Sequence, residues 1–107
     1  MISHVIRKKE AWSAAMVHPE YDMALLQRIA AGDELALHDL YAAHGQRLYA
    51  YALRLTGDAA TAEDVVQDAL IAVWRTAGRY RGEGRVLAWL LGIVHNTETK
   101  AFRHRSE

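Results

Sequence analysis

Hydrophobic residues recur at three- and four-residue steps along most of this chain of 107 residues, which is the spacing of one face of an α-helix. The pattern predicts helices at about 21–31, 33–56 and 61–77, and a fourth from about residue 85 into a basic tail. One proline and few clusters of β-branched residues leave little room for strands. We therefore expect an all-α fold, a small antiparallel helical bundle over residues 20–107, preceded by an N-terminal arm or extra helix over residues 1–19.

Two Gly-Asp pairs separate the predicted helices. Gly32 and Gly57 each end a helix, because glycine adopts the left-handed conformation of a C-terminal cap without steric cost. Asp33 then provides an N-cap acceptor for the second helix. Thr61 and Asp64 have the spacing of a capping box and predict the start of the third helix. The segment GRYRGEG, with three glycines, interrupts the pattern before the fourth helix.

Each predicted helix has an inward stripe of mostly apolar residues. The expected core consists of Leu25, Leu26 and Ile29; Leu37, Leu40, Tyr41, His44, Leu48, Tyr51, Ala52 and Leu55; Ala62, Val66, Ala69, Leu70, Val73 and Ala77; and Val86, Trp89, Leu90, Ile93 and Thr97.

The third predicted helix carries an unusual set of residues opposite its core stripe. This set is Asp64, Gln67, Asp68, Ile71 and Arg75, with Trp74 at the margin. A face that contacts only water would favour Lys and Glu in i,i+4 pairs. An apolar side chain with a charged rim is typical of a protein-binding patch. The alternative is a solvated face with one stray isoleucine.

The fourth predicted helix also has two different sides. Ala88, Leu91 and His95 point outward, flanked by Arg85 and Asn96. Apolar and amide groups beside bases, next to a loop rich in Arg, Tyr and Gly, suit a surface that stacks on and hydrogen-bonds unpaired nucleotide bases. Trp89 has the spacing of a core residue rather than of a stacking platform, and Leu91 could be an ordinary exposed leucine.

The net charge of zero hides a separation of charge along the chain. Between Glu20 and Asp68 there are nine acidic residues and three arginines. The later part instead carries the bases Arg75, Arg79, Arg81, Arg85, Lys100, Arg103 and Arg105, against Glu83 and Glu98. This asymmetry indicates two different partners, one of them a polyanion, or else simply a solvated surface.

Several classes of protein are disfavoured by the sequence. The chain has no cysteine, and it contains neither a signal peptide's apolar core nor an apolar run long enough to span a bilayer. His38 and His44 lie on different faces of a helix, Glu-x-x-His does not occur, and no P-loop or nucleophile motif is present. We expect a cytoplasmic protein that is not an enzyme, with no metal, cofactor, small-molecule substrate or membrane partner.

Three segments in this order, AEDVVQDALIAVWR, YRGEG and AWLLGIVHN, resemble region 2 of the extracytoplasmic-function (ECF) class of bacterial sigma-70 family factors. The earlier stretch LLQRIAAGDELALHDLYAAHGQRLYAYALRLTGD is similar to the first part of the same region. The resemblance implies a domain that docks on the clamp helices of the largest subunit of RNA polymerase core. It also implies that the domain recognises and melts the promoter −10 element, with an anti-sigma factor as a further partner.

By this resemblance, Asp64, Gln67 and Asp68 occupy polymerase-docking positions, with Ile71 and Trp74 close by. The loop of Thr76, Ala77, Gly78, Arg79, Tyr80, Arg81 and Gly82 matches the loop that captures a base flipped from single-stranded −10 DNA. Tyr80 and Asn96 match positions lining that pocket, and Leu91 and His95 match the face at the point of melting. Phosphate contacts are expected from Arg75, Arg79, Arg81, Arg85, Lys100, Arg103 and Arg105.

The chain departs from the family pattern at two places. Val86 stands where the family usually has an aromatic residue, and Lys100 lies near an expected acid. The linker and the domain that reads the −35 element are not in this sequence, as expected for either an excised domain or a native truncation. The alternative function is a sigma-like decoy that binds polymerase or an anti-sigma factor without opening DNA. A helix-turn-helix regulator is disfavoured, because no short helix pair has the pattern of a major-groove reader.

Overall fold

Four α-helices and one short 3-10 helix make up the part of the chain that the structure describes. The structure is a computed structural model and describes residues 19–82 and 84–106. Its elements are α1 (Pro19–Ala30), α2 (Glu34–Thr56), α3 (Ala59–Thr76), the 3-10 helix (Ala77–Arg79) and α4 (Val86–Ser106). The predicted all-α bundle is confirmed. The predicted N-terminal arm or extra helix lies outside the described residues, apart from Pro19, which is the first residue of α1.

The first Gly-Asp pair ends α1 and starts α2 as predicted. Gly32 has a φ of 94°, and its N–H donates to the Ile29 carbonyl at 2.9 Å. The N–H of Asp33 donates to the Arg28 carbonyl at 3.0 Å, which completes a Schellman motif. The Asp33 carboxylate then accepts hydrogen bonds from the N–H groups of Leu35 and Ala36 in the first turn of α2.

The second Gly-Asp pair also ends one helix with its glycine and starts the next with its aspartate. This observation corrects the predicted start of α3. Gly57 caps α2 with a φ of 72°. Asp58, and not Thr61, is the N-cap of α3: its carboxylate accepts from the backbone N–H and the hydroxyl of Thr61 at 2.8 and 2.6 Å. Helix α3 therefore begins at Ala59, and the predicted capping box of Thr61 and Asp64 is wrong, because the earlier acceptor takes the free N–H groups of the first turn.

The core lies where α3 packs against both α2 and α4, while α1 covers α2 and the 3-10 helix. Most of the predicted stripe is buried there, including Leu40, Leu48, Val73 and Leu90. Tyr41 was predicted to face inward but has 47% of its surface exposed. The described chain places no further element against that side of α2, so the ring lies at the surface instead of in the core.

Two buried valines were not in the predicted core. Val65 and Val94 are 2% and 0% exposed, one position from the predicted stripes of α3 and α4. Each of these helices packs against three other α-helices, so each buries a wider arc of its surface than a single stripe. Leu91 was predicted to point outward and is half-buried against the core for the same reason.

Candidate functional site

The outer face of α3, which we define as Asp64, Gln67, Asp68 and Ile71, lies on the side of the helix opposite its core stripe. Gln67 and Asp68 follow Asp64 by three and four residues, and Ile71 follows them by four and three, so the four side chains share one side of the helix. All four are exposed, and Ile71 presents 49% of its surface to solvent. Trp74 is half-buried and packs against the core at the edge of this face.

The acids of the α3 outer face are available for contacts outside the domain. Within the described ranges, neither the Asp64 nor the Asp68 carboxylate forms a hydrogen bond or an ion pair. Helix capping does not involve Asp64, because Asp58 has that role. The face thus combines two unpaired carboxylates, an amide and an exposed aliphatic side chain, a combination that fits the rim and anchor of a protein interface.

The loop between α3 and α4 is closed by one side chain. The hydroxyl of Tyr80 donates to the Gly84 carbonyl at 2.8 Å, across a turn in which Gly82 and Gly84 have φ values of 80° and 75°. These positive angles favour glycine, which has no Cβ to collide with the backbone. The Tyr80 ring also contacts the Trp89 ring, with centroids 5.3 Å apart and planes tilted by 59°.

A shallow cavity of about 230 Å³ lies beside this aromatic pair and is lined by Arg79, Tyr80, Arg81 and Trp89. Trp89 is half-buried and packs against the core, as its spacing predicted, but it also forms part of the cavity wall. The two arginines are exposed. The cavity therefore combines aromatic walls with positive charge, which is suited to a nucleotide base and its phosphate.

The remaining residues of the predicted loop site differ in accessibility. Gly78 is exposed, whereas Ala77 is 4% exposed and belongs to the core, so its side chain has no surface to offer DNA. Thr76 is half-buried, and its hydroxyl donates to the Ala72 carbonyl at 2.6 Å. This bond occupies the hydroxyl proton and leaves only its oxygen as an acceptor.

Helix α4 continues the surface beyond the loop. His95 and Asn96 are exposed, and Lys100 follows one turn later on the same helix. Arg75 and Arg85 are also exposed, near the two ends of the α3–α4 connection. Arg103 and Arg105 lie near the end of α4, and their side chains are outside the described part of the structure.

A buried polar pair between α1 and α2 was missed by the sequence analysis. Nε2 of His44 lies 2.9 Å from a carboxylate oxygen of Asp22, and both residues are buried. The spacing of His44 in α2 predicted only that it faces inward; no local signal relates it to a residue 22 positions earlier.

Two general properties of the described residues bear on function. No group of three or more His, Asp or Glu side chains among them is arranged to hold a metal ion. None of the helices in the described part of the chain is sufficiently long and apolar to cross a membrane.

The family model for Sigma-70 region 2 matches residues 40–107, from the end of the second turn of α2 to the end of the chain. The chain belongs to this family. All the residues predicted for docking and DNA binding lie within the matched part. Of the described helices, the sigma-70 region 2 match leaves out α1 and the first turns of α2.

Relatives of this sigma-70 region 2 chain include ECF sigma factors. It is 41% identical over 75 residues to "ECF RNA polymerase sigma factor SigL" of Mycobacterium tuberculosis. The aligned residues make up 69% of this chain and 42% of the relative. It is also 34% identical over 80 residues to "RNA polymerase sigma factor CarQ" of Myxococcus xanthus. Here the aligned residues make up 75% of this chain and 46% of the relative. The chain thus spans less than half the length of these relatives. No solved structure gave a significant match.

Proposed function

We propose that this domain docks on RNA polymerase core through the α3 outer face and recognises and melts the promoter −10 element through the α3–α4 loop and α4. The proposal rests above all on the unpaired acidic and apolar α3 outer face, displayed by a member of the sigma-70 region 2 family. A solvated helix gains nothing from an isoleucine that is half in water, whereas a docking surface needs such an anchor. The paired clamp helices of the largest subunit are the docking partner.

The DNA half of the proposal is supported by the positions of the basic and aromatic groups. Arg79 and Arg81 are exposed and line the cavity together with Tyr80 and Trp89. Arg85 is exposed just before α4. A strand held by phosphate contacts to these arginines would present a flipped base to the cavity. Flipping costs a few kcal/mol of unstacking, which stacking and edge hydrogen bonds would offset. Exposed Asn96 would read a base edge, since its amide both donates and accepts.

The experiment that tests docking is capture of RNA polymerase core by the immobilised domain. Asp64→Arg and Asp68→Arg, alone and combined, should each weaken capture while leaving the helical circular dichroism unchanged. Asp39→Arg is the control, because Asp39 is an exposed acid on α2, outside the α3 outer face, and its ion pair with Arg28 is long, at 3.9 Å. If the double variant captures core as well as the parent does, the docking assignment is wrong.

A second measurement separates the proposal from the decoy alternative. Fluorescence anisotropy should show tighter binding to a single-stranded −10 oligonucleotide than to the corresponding duplex. A decoy needs only the α3 outer face, so capture of core without any preference for single-stranded DNA would favour the decoy.

A further inference from the structure

Helix α1 lies beside the loop that we propose to bind DNA. It precedes residue 40, where the match to the family model begins. Apart from its packing on α2, its main contact among the described elements is with the 3-10 helix that opens this loop. Ala77 of the 3-10 helix is buried in the same core cluster as Leu25 and Ile29 of α1. A helix outside the matched segment therefore supports one of the two elements that we assign to function.

Two glycines of the loop face α1. A Cβ placed on Gly78 would lie 3.7 Å from Cβ of Ala30, and a Cβ placed on Gly82 would lie 3.7 Å from Cε of Met23. These are van der Waals distances, so each glycine lies close to the α1 side chain that it faces. Met23 and Ala30 are seven residues apart, which places them on one side of α1 with a rise of about 10 Å between them. The loop from Gly78 to Gly82 therefore follows α1 over two turns.

The position of α1 is itself fixed by a directional contact. The carboxylate of Asp22 lies 2.9 Å from Nε2 of His44 in α2, and both side chains are buried. Apolar contacts such as those of Leu26 tolerate small displacements along the helix axis, whereas a hydrogen bond depends on both distance and angle. Met23 directly follows Asp22 in the chain. The hydrogen bond to His44 therefore sets the height on α1 at which the Met23 methyl group meets the loop.

Tyr80 lies midway between the two glycines that face α1. Its ring forms a wall of the cavity beside Trp89, and its hydroxyl donates to the Gly84 carbonyl at 2.8 Å. A shift of Gly82 relative to α1 would therefore move the Tyr80 ring relative to Trp89. Binding sites need to be held to within about 0.5 Å of their productive geometry, so a small shift of the loop would affect the cavity.

We propose that α1 is a positioning element for the DNA-binding loop, and that Met23 is its main positioning residue. The Met23 methyl group holds Gly82, and through it Tyr80, in the place that the cavity requires. Helix α1 thereby influences the choice of −10 sequence through the loop rather than through a contact with DNA. This effect on DNA binding rests on the proposed function, whereas the effect of Met23 on the order of the loop does not.

NMR relaxation of the loop amides in the chain of 107 residues tests the positioning without DNA. Met23→Ala removes the thioether and should lower the order parameters of Arg81 and Gly82 from about 0.85 toward about 0.6. Met23→Leu keeps an apolar side chain of similar size and should preserve them. Tyr21→Ala is the matched control, because Tyr21 is 41% exposed and lies about 200° around α1 from Met23.

Two outcomes of the relaxation measurement would overturn the positioning. One is that Met23→Ala leaves the order parameter of Gly82 at the parent value. The other is that the parent itself already has an order parameter of about 0.6 or lower at Gly82, since a loop that is held in place has the order of rigid backbone. A loss of order that Tyr21→Ala reproduces would assign the effect to α1 as a whole and not to Met23.

DNA binding tests the consequence for function. Met23→Ala should weaken binding to the preferred single-stranded −10 oligonucleotide severalfold in fluorescence anisotropy and reduce the preference among oligonucleotides that differ at one base. Met23→Leu and Tyr21→Ala should bind as the parent does. Capture of polymerase core should be unchanged in all three variants, because the α3 outer face does not include α1. A parallel loss of capture and of DNA binding in Met23→Ala would indicate general destabilisation and overturn the positioning role.

A double-mutant cycle with Tyr80→Ala shows whether Met23 acts through the loop. Residues that act through one another have non-additive effects, so Met23→Ala should change DNA affinity little once Tyr80 is replaced by alanine. Fully additive losses would overturn the action through Tyr80. If Tyr80→Ala loses DNA binding while Met23→Ala binds as the parent does, the positioning is wrong and the assignment of the loop stands. If neither variant alters DNA binding, the effect of α1 on −10 recognition is overturned together with the assignment of the loop.

Discussion

The carboxylate of Asp22 lies 2.9 Å from Nε2 of His44, and the two side chains join α1 to the middle of α2 inside the protein. A carboxylate oxygen accepts hydrogen bonds, so the contact is made by the tautomer of His44 that carries its proton on Nε2. Nδ1 of His44 is also buried and has no partner among the described residues. One hydrogen bond therefore joins the pair, and loss of Asp22 would leave the buried imidazole without a partner among the described residues.

We expect Asp22→Ala to lower the free energy of unfolding by about 1–3 kcal/mol, because it strands a buried polar ring. Replacing both partners with apolar residues, in Asp22→Leu/His44→Phe, should recover much of this loss, since no polar group is then left unpaired. Urea unfolding of Asp22→Leu, His44→Phe and the double variant gives the coupling energy. If Asp22→Ala costs no more than Asp39→Ala at the exposed α2 surface, the pair does not stabilise the fold.

The two sides of α3 should separate stability from docking. Val73→Ala should destabilise the domain by about 2 kcal/mol, because Val73 is 1% exposed and its truncation removes buried methyl groups. Ile71→Ala should change stability by no more than about 0.5 kcal/mol, since its side chain is half in water. Core capture should show the opposite order, with Ile71→Ala weakening binding by more than about 1 kcal/mol. A fully retained capture by Ile71→Ala would remove the isoleucine from the docking surface.

Tyr80 should act through its ring more than through its hydroxyl in binding DNA. Tyr80→Phe loses the hydrogen bond to the Gly84 carbonyl, which should cost about 0.5–1.5 kcal/mol of stability. It keeps the contact with Trp89, so binding to −10 oligonucleotides should change little. Tyr80→Ala loses both and should weaken DNA binding and sequence preference together. Urea unfolding and fluorescence anisotropy measure the two effects. Equal losses of affinity in the Phe and Ala variants would assign the DNA contact to the hydroxyl.

Asn96 and Arg79 should have different signatures in DNA binding. Asn96→Ala should cost about 1–3 kcal/mol on one −10 sequence and relax the preference at a single base. Arg79→Ala should weaken all sequences alike and lower the salt slope by about one unit, because a phosphate contact carries no base information. Anisotropy titrations on a small set of −10 oligonucleotides at two salt concentrations distinguish them. If neither Asn96→Ala nor Tyr80→Ala alters affinity or preference, the pocket for the flipped base is not here.

The N-cap of α2 should be sensitive to acid. The hydrogen bond from Nε of Arg28, at 2.9 Å, is the largest cause that lowers the pKa of Asp33, and the N–H groups of Ala36 and Leu35 lower it further. A carboxyl with a lower pKa in the folded state stabilises the fold above its unfolded pKa. This stabilisation of the fold is lost as the pH falls through the pKa that the carboxyl has in the folded state. Arg28→Ala should raise the pKa of Asp33 toward its ordinary value, which NMR titration of the carboxyl measures. Arg54→Ala, at the far end of α2, should leave it unchanged.

Much of this architecture followed from local sequence signals. Gly32 and Gly57 ended their helices and Asp33 capped α2 as predicted, because these caps depend only on nearby backbone groups, whereas the role of Asp58 as the N-cap of α3 was missed. The exposure of Ile71 followed from its angular position relative to the α3 core stripe, which periodicity alone determines.

Tertiary packing decided the features that depend on which helices are neighbours. Tyr41 has a core spacing yet lies at the surface, because the described chain covers only one side of the α2–α3 pair. Val65 and Val94 are buried because α3 and α4 each contact three other α-helices. The contact of Asp22 with His44 depends on the register of α1 along α2, and the contact of Tyr80 with Trp89 depends on how the loop folds back on α4. Periodicity specifies the direction in which a side chain points from its own helix axis. The residue that this side chain contacts depends on the position of a second element, which no local pattern encodes.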